Sequence, residues 1–187
     1  LLHPFVRQIE GVVTRQSPIT AQFIRNLVKS GERLRVLVLT SNTSPPIDLI
    51  DQMGEEVRDS LSPIDWIDLT YVDSDHATYS IVREMLRSCE YHVVHYIGHG
   101  MFMQESPEQS CLFFWKDENR SGGVEVISGN QLGLLLQEAE TRFFHLTCCE
   151  GTLSGDISSL IEDDCLGIAD SIIKAGVPSV LGYRWPV

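Results

Sequence analysis

Basic residues are scarce in this sequence: 14 Lys and Arg stand against 26 Asp and Glu, for a net charge of −12. Nucleic acid phosphates demand clustered cations, so nucleic acid is excluded as a direct partner. The acidity is compatible with a preference for basic peptides, and equally with a plain solubility device. Long apolar runs are missing too. None reaches the roughly 18 residues of a membrane-spanning helix, so no membrane association is expected. No secretory leader pattern is visible and the first residue is Leu1. Cysteines are few, at positions 89, 111, 148, 149 and 165, and none forms a Cys-x-x-Cys pair. Their odd number and irregular spacing argue against a disulfide scaffold and for a reduced, cytoplasmic protein with one or two working thiols. A glycine-rich phosphate loop is absent after Leu34 to Leu39, where Ser41-Asn42-Thr43-Ser44-Pro45-Pro46 stands instead. That argues against a nucleotide-binding domain. There is no internal repeat and no low-complexity segment.

What is present is a globular composition, 43% hydrophobic over 187 residues, which suits one domain with a full core. Residues 1–30 read as helical, punctuated by Pro18, and form a segment over 1–33 that is either a cap or the tail of an upstream helical region. From there strands and helices alternate. Strands are expected at 34–39, 66–72, 91–97, 142–146 and 177–183. Helices are expected at 47–61, 77–87, from 128 through 136, and at 166–175. A hairpin is expected from 112–115 and 124–127. Asp73-Ser74-Asp75 offers capping side chains for the helix that follows. This order predicts an α/β fold over 34–187 with a mostly parallel sheet flanked by helices. The ending at Val187, in an apolar stretch, reads as a break in a longer protein.

Chemistry in such sheets gathers beyond the carboxyl ends of the strands. Two segments fall there: His95-Tyr96-Ile97-Gly98-His99-Gly100 and His145-Leu146-Thr147-Cys148-Cys149-Glu150-Gly151. If their strands are neighbours, one end delivers a histidine beside the other's cysteine. A thiol with an imidazole in reach is a nucleophile with its base. The thiolate would attack a carbonyl and the imidazolium would protonate the leaving amine. Backbone N–H groups of Gly100 and Cys149 are the expected oxyanion donors. Gly98 and Gly100 give the backbone around His99 freedom for a close approach.

Other readings of these residues stand beside this one. A histidine between glycines can be a turn residue, and a cysteine at a strand end is usually a small core residue. Cys148 rivals Cys149 as nucleophile, but neighbours on a strand face opposite ways, so only one of them can meet His99. His92, His95, His99, His145, Cys148 and Cys149 are metal-ligand types. However, His92 and His95 have opposite parity on a strand and no helix offers ligands four apart, so no metal and no cofactor are expected. Glu162-Asp163-Asp164 reads as a solvated loop or cap. Alternatively Asp156, Asp163 or Asp164 lines a pocket for a basic side chain, with Thr147 and Trp185 as further pocket candidates.

With these residues in view, the chain resembles the CHAT domains, caspase-like modules related to separase, legumain and gingipains. Several stretches carry the resemblance. Val94-His95-Tyr96-Ile97-Gly98-His99-Gly100 is similar to the family's His-Phe-Ala-Gly-His-Gly. Leu146-Thr147-Cys148-Cys149-Glu150-Gly151 is similar to Leu-Ser-Ala-Cys-Glu-Ser. Ala77-Thr78, Gly167-Ile168-Ala169, Ala175-Gly176-Val177-Pro178-Ser179-Val180 and Trp185-Pro186-Val187 resemble further family segments in their order. The resemblance implies a caspase-like three-layer sandwich and a cysteine endopeptidase with His99 as base and acid and Cys149 as nucleophile. Cys148 then stands where the family has Ala. The 50 residues between His99 and Cys149 match the approximate caspase interval. It further implies a protein or peptide substrate and control by a regulatory domain or partner. Caspases carry Gln where Thr147 stands, so no aspartate specificity is implied. The other reading on the same fold is a catalytically silent interaction or scaffold module.

Overall fold

Short runs rich in Val, Ile, Leu and aromatic residues each become a strand, and amphipathic runs between them become helices. The computed structural model describes residues 13–43, 45–101, 109–150 and 166–185. Its strands are β1 (Leu34–Ser41), β2 (Ile67–Val72), β3 (Val93–Met101), β4 (Cys111–Trp115), β5 (Val124–Ser128), β6 (Phe143–Glu150) and β7 (Ser179–Trp185). Its helices are α1 (Val13–Ser30), α2 (Asp48–Leu61), α3 (Tyr79–Ser88), α4 (Gly129–Glu138) and α5 (Leu166–Lys174). Five strands run parallel in the order β2-β1-β3-β6-β7. The expected hairpin, β4 and β5, joins the same sheet by antiparallel pairing of β4 with Gly100 and Met101 of β3.

Alternation along the strands sorts side chains onto two faces. On one face Leu37, Leu39, Val94, Tyr96, Phe144, Leu146 and Cys148 form the larger core with residues of α3, α4 and α5. On the other, Val36, Val38 and Ile97 pack with Leu27 of α1 and Ile50 of α2. The result is the three-layer α/β sandwich that the sequence predicts. Each fully buried Leu, Ile or Phe contributes about 1.5–3 kcal/mol to this assembly.

Three local expectations change. Helix α1 runs unbroken from Val13 to Ser30 with Pro18 inside it, although the ring removes one backbone donor. Helix α3 is capped by Thr78, whose hydroxyl accepts from the Ile81 N–H at 3.3 Å, not by the residues at 73–75. Asp73 instead organises its own turn by accepting from the backbone of Asp75 and His76. Finally, β3 and β6 extend past His99 and Cys149 to Met101 and Glu150. Extension of β3 is possible because β4 supplies a partner at Gly100 and Met101, beyond the end of its pairing with β1 at Gly98.

Candidate functional site

The site grows out of the register between β3 and β6. His95 pairs with His145, Ile97 with Thr147, Gly98 with Cys148 and His99 with Cys149. On the next strand Trp185 pairs with Cys149. His99, Cys149 and Trp185 therefore stand in a row across three parallel strands, at their carboxyl ends. Cys148, one residue away, is completely buried in the larger core with Tyr96 and Phe144.

The His99 ring is 1% exposed. It hydrogen-bonds the backbone carbonyl of Pro45, in the segment after β1, while its Nε2 has no partner among the described residues. The Pro45 bond is thus made by Nδ1–H, and Nε2 keeps a bare lone pair. Burial pulls the ring below its ordinary pKa of 6.5, against the opposing pull of the Pro45 carbonyl. The imidazole is neutral near pH 7, which is the form a base requires.

Behind His99 the backbone is fixed from the opposite face. The Tyr96 hydroxyl lies 2.7 Å from the His99 carbonyl and 2.8 Å from that of Phe113, and its single proton is shared between them. Ser41 also donates to the Phe113 carbonyl, at 2.7 Å. The Tyr96 ring reaches along its own strand because Gly98 has no side chain. A Cβ there would lie 2.6 Å from the Ser41 carbonyl oxygen and 2.7 Å from the Tyr96 hydroxyl. The His99 carbonyl belongs to the same peptide group as the Gly100 N–H, so holding one orients the other.

The same sheet face continues with a polar stack. The His95 and His145 rings lie 3.9 Å apart and 24° from parallel. His95 Nε2 is 3.0 Å from the Thr147 hydroxyl. Burial pushes the His95 ring down to about 3, helped by the neighbouring His145, and pushes His145 down to about 4. Both are neutral under ordinary conditions. Thr147 is 5% exposed, with its hydroxyl engaged by His95.

Asp156, Asp163 and Asp164, named as pocket candidates, lie outside the described residues. His92 precedes β3 and so does not follow strand parity. Its Nδ1 accepts from the Arg35 backbone N–H at 3.1 Å and its ring meets Phe23 edge-on. Among the described residues no three His, Cys, Asp or Glu side chains cluster to hold a metal ion. None of the described helices is long and apolar enough to cross a membrane.

Sequence reasoning missed Pro45, Asn42 and the Tyr96 hydroxyl. The last had a visible signal, since Tyr96 stands where the resembled pattern has Phe. A backbone carbonyl such as that of Pro45 leaves no mark in residue identity.

A family model for the CHAT domain matches residues 58–187, more than half of the chain. The protein belongs to the CHAT domain family. CHAT domains are caspase-like, in agreement with the sandwich and with the histidine and cysteine segments inside the matched range. The match begins after β1 and within the last turn of α2, yet β1 lies between β2 and β3 in the sheet. No curated protein and no solved structure matches the chain.

Proposed function

We propose that this CHAT domain is a cysteine endopeptidase working through His99 and Cys149. The observation that carries the reading is the pairing of those two residues across adjacent parallel strands, together with the bare Nε2 of His99. In the proposed reaction Nε2 accepts the Cys149 thiol proton as sulfur bonds to the scissile carbonyl carbon. The carbonyl oxygen takes up the electron pair and is met by the N–H groups of Gly100 and Cys149. Collapse of the intermediate breaks the C–N bond, and the imidazolium gives its proton to the departing amine. Water then hydrolyses the thioester by the same base, releasing the acid and restoring the thiol.

The substrate class is protein or peptide. The net charge of −12 favours basic side chains before the scissile bond, and a peptide panel preferring Asp or Leu would reverse that. Control by a partner or by another part of a longer protein, in a reducing cytoplasm, completes the reading. Cleavage within 151–164 is one route to activation, and mass spectrometry of active protein finding no cut there would remove it. A silent scaffold module is the competing function, favoured by the near-complete burial of His99. A thiol-reactive peptide probe separates them. Labelling that vanishes in Cys149→Ala and weakens in His99→Ala supports the peptidase; equal labelling of all three forms supports the scaffold.

A further inference from the structure

The polar segment after β1 is closed by one side chain. Asn42 directly follows the strand and is 6% exposed. Its Nδ2 donates to the Ile47 carbonyl at 3.1 Å and to the Asp51 carboxylate at 2.6 Å. Its Oδ1 accepts from the Ile47 N–H at 2.8 Å. Both side-chain donors and the acceptor are thereby used. The Asn42 main-chain N–H donates to the Ser74 hydroxyl at 3.2 Å, and that hydroxyl donates to Asp51. Asn42 thus ties the end of β1, the start of α2 and the segment after β2 into one satisfied network. Such buried networks rigidify what they join.

Pro45 lies between the two bonded ends, Asn42 and Ile47, and its carbonyl receives the His99 ring. We propose that Asn42 is a positioning residue: by anchoring Ile47 to the end of β1 it holds the Pro45 carbonyl against His99 Nδ1–H and so keeps the lone pair on Nε2. A neutral imidazole otherwise chooses between two tautomers, and the bond made by one nitrogen decides which. Asp51 and Ser74 serve the same end by anchoring the clamp. The kinetic consequence rests on the peptidase reading; the geometric one does not.

The test is ring 15N NMR of histidine-labelled protein, with His99 assigned by the signals lost in His99→Gln. Wild-type protein is expected to show a protonated Nδ1 and a bare Nε2. Asn42→Ala, with its folding checked by circular dichroism, is expected to show a mixture of tautomers. Asn42→Asp keeps an acceptor for Ile47 but loses both donors and sets a carboxylate against that of Asp51, and is expected to shift at least as far. Cleavage should follow the same order, with kcat for Asn42→Ala down on the order of tenfold, or about 1.4 kcal/mol, and KM little changed. A folded Asn42→Ala with wild-type ring signals would overturn the proposal. So would failure of both variants to fold, which would make Asn42 a folding residue. If no form cleaves anything, the peptidase reading fails while the ring signals still decide this proposal.

Discussion

The two faces of β3 and β6 are built from the same strands and could hardly differ more. On the face toward α3, α4 and α5, Val94, Tyr96, Phe144, Leu146 and Cys148 are all fully buried and make a conventional apolar core. On the other face the same strands carry His95, His99, His145 and Thr147, of which His95, His99 and Thr147 are buried. A core has no need of imidazoles, and each buried polar atom left without a partner costs about 1–3 kcal/mol. His99 Nε2, which finds no partner among the described residues, is therefore a cost that apolar packing does not offset. The contrast teaches how strand parity can separate stability from chemistry: Cys148 belongs to the apolar core, and under the proposed function Cys149, its neighbour on the strand, serves the other task.

The contrast can be broken most sharply at the cysteines. Cys149→Ala should lower peptide cleavage by on the order of 10⁴-fold or more while leaving thermal stability near wild type. Comparable cleavage by the variant would end the assignment. Next in size is Gly98→Ala. Its methyl would meet the Ser41 carbonyl at 2.6 Å and the Tyr96 hydroxyl at 2.7 Å, a clash between the core face and the strand that bears His99. Overpacking of this kind costs about 1–3 kcal/mol, to be read from the urea midpoint; an unchanged midpoint would show that the Tyr96 brace has slack.

Acid tests the polar face alone. The His95 and His145 rings sit at about 3 and 4 in the folded protein, against an ordinary 6.5. Between those values the unfolded chain binds protons that the folded chain refuses, so stability is full above about pH 6.5 and is lost as pH falls toward 4. His92 and His99, also lowered by burial, add to the same slope. His145→Gln should flatten it, measured as thermal midpoint against pH; an identical slope would move the cause elsewhere. The smallest effect belongs to Cys148→Ala, expected to cost about 1 kcal/mol of stability through lost packing. Cleavage should persist, and its loss would return Cys148 to candidacy as nucleophile.

The strands themselves were legible because β-branched and aromatic residues cluster in them, and the helices because Leu49, Met53 and Val57, or Leu132 and Leu136, recur at helical spacing. The segments around His99 and Cys149 stood out by residue type. Strand lengths were less legible, since the reach of β3 to Met101 depends on β4 arriving from elsewhere in the chain. Pro18 misled for a related reason: one lost donor does not outweigh a helix otherwise continuous from Val13 to Ser30. What the residues could not announce was the orientation of the His99 ring. That rests on a backbone carbonyl at Pro45 and on an Asn42 clamp whose partners come from two separate segments, Ile47 and Asp51 at the start of α2 and Ser74 after β2.

The central claim is that His99 and Cys149 form a working peptidase pair, and new N-termini report on it most directly. Wild-type protein, Cys149→Ala and Cys148→Ala would each be incubated with a denatured proteome and the new termini sequenced. The account predicts new termini from wild type and Cys148→Ala, absent with Cys149→Ala, and a shared residue before the cut. New termini that persist in Cys149→Ala, or that vanish only in Cys148→Ala, would contradict it.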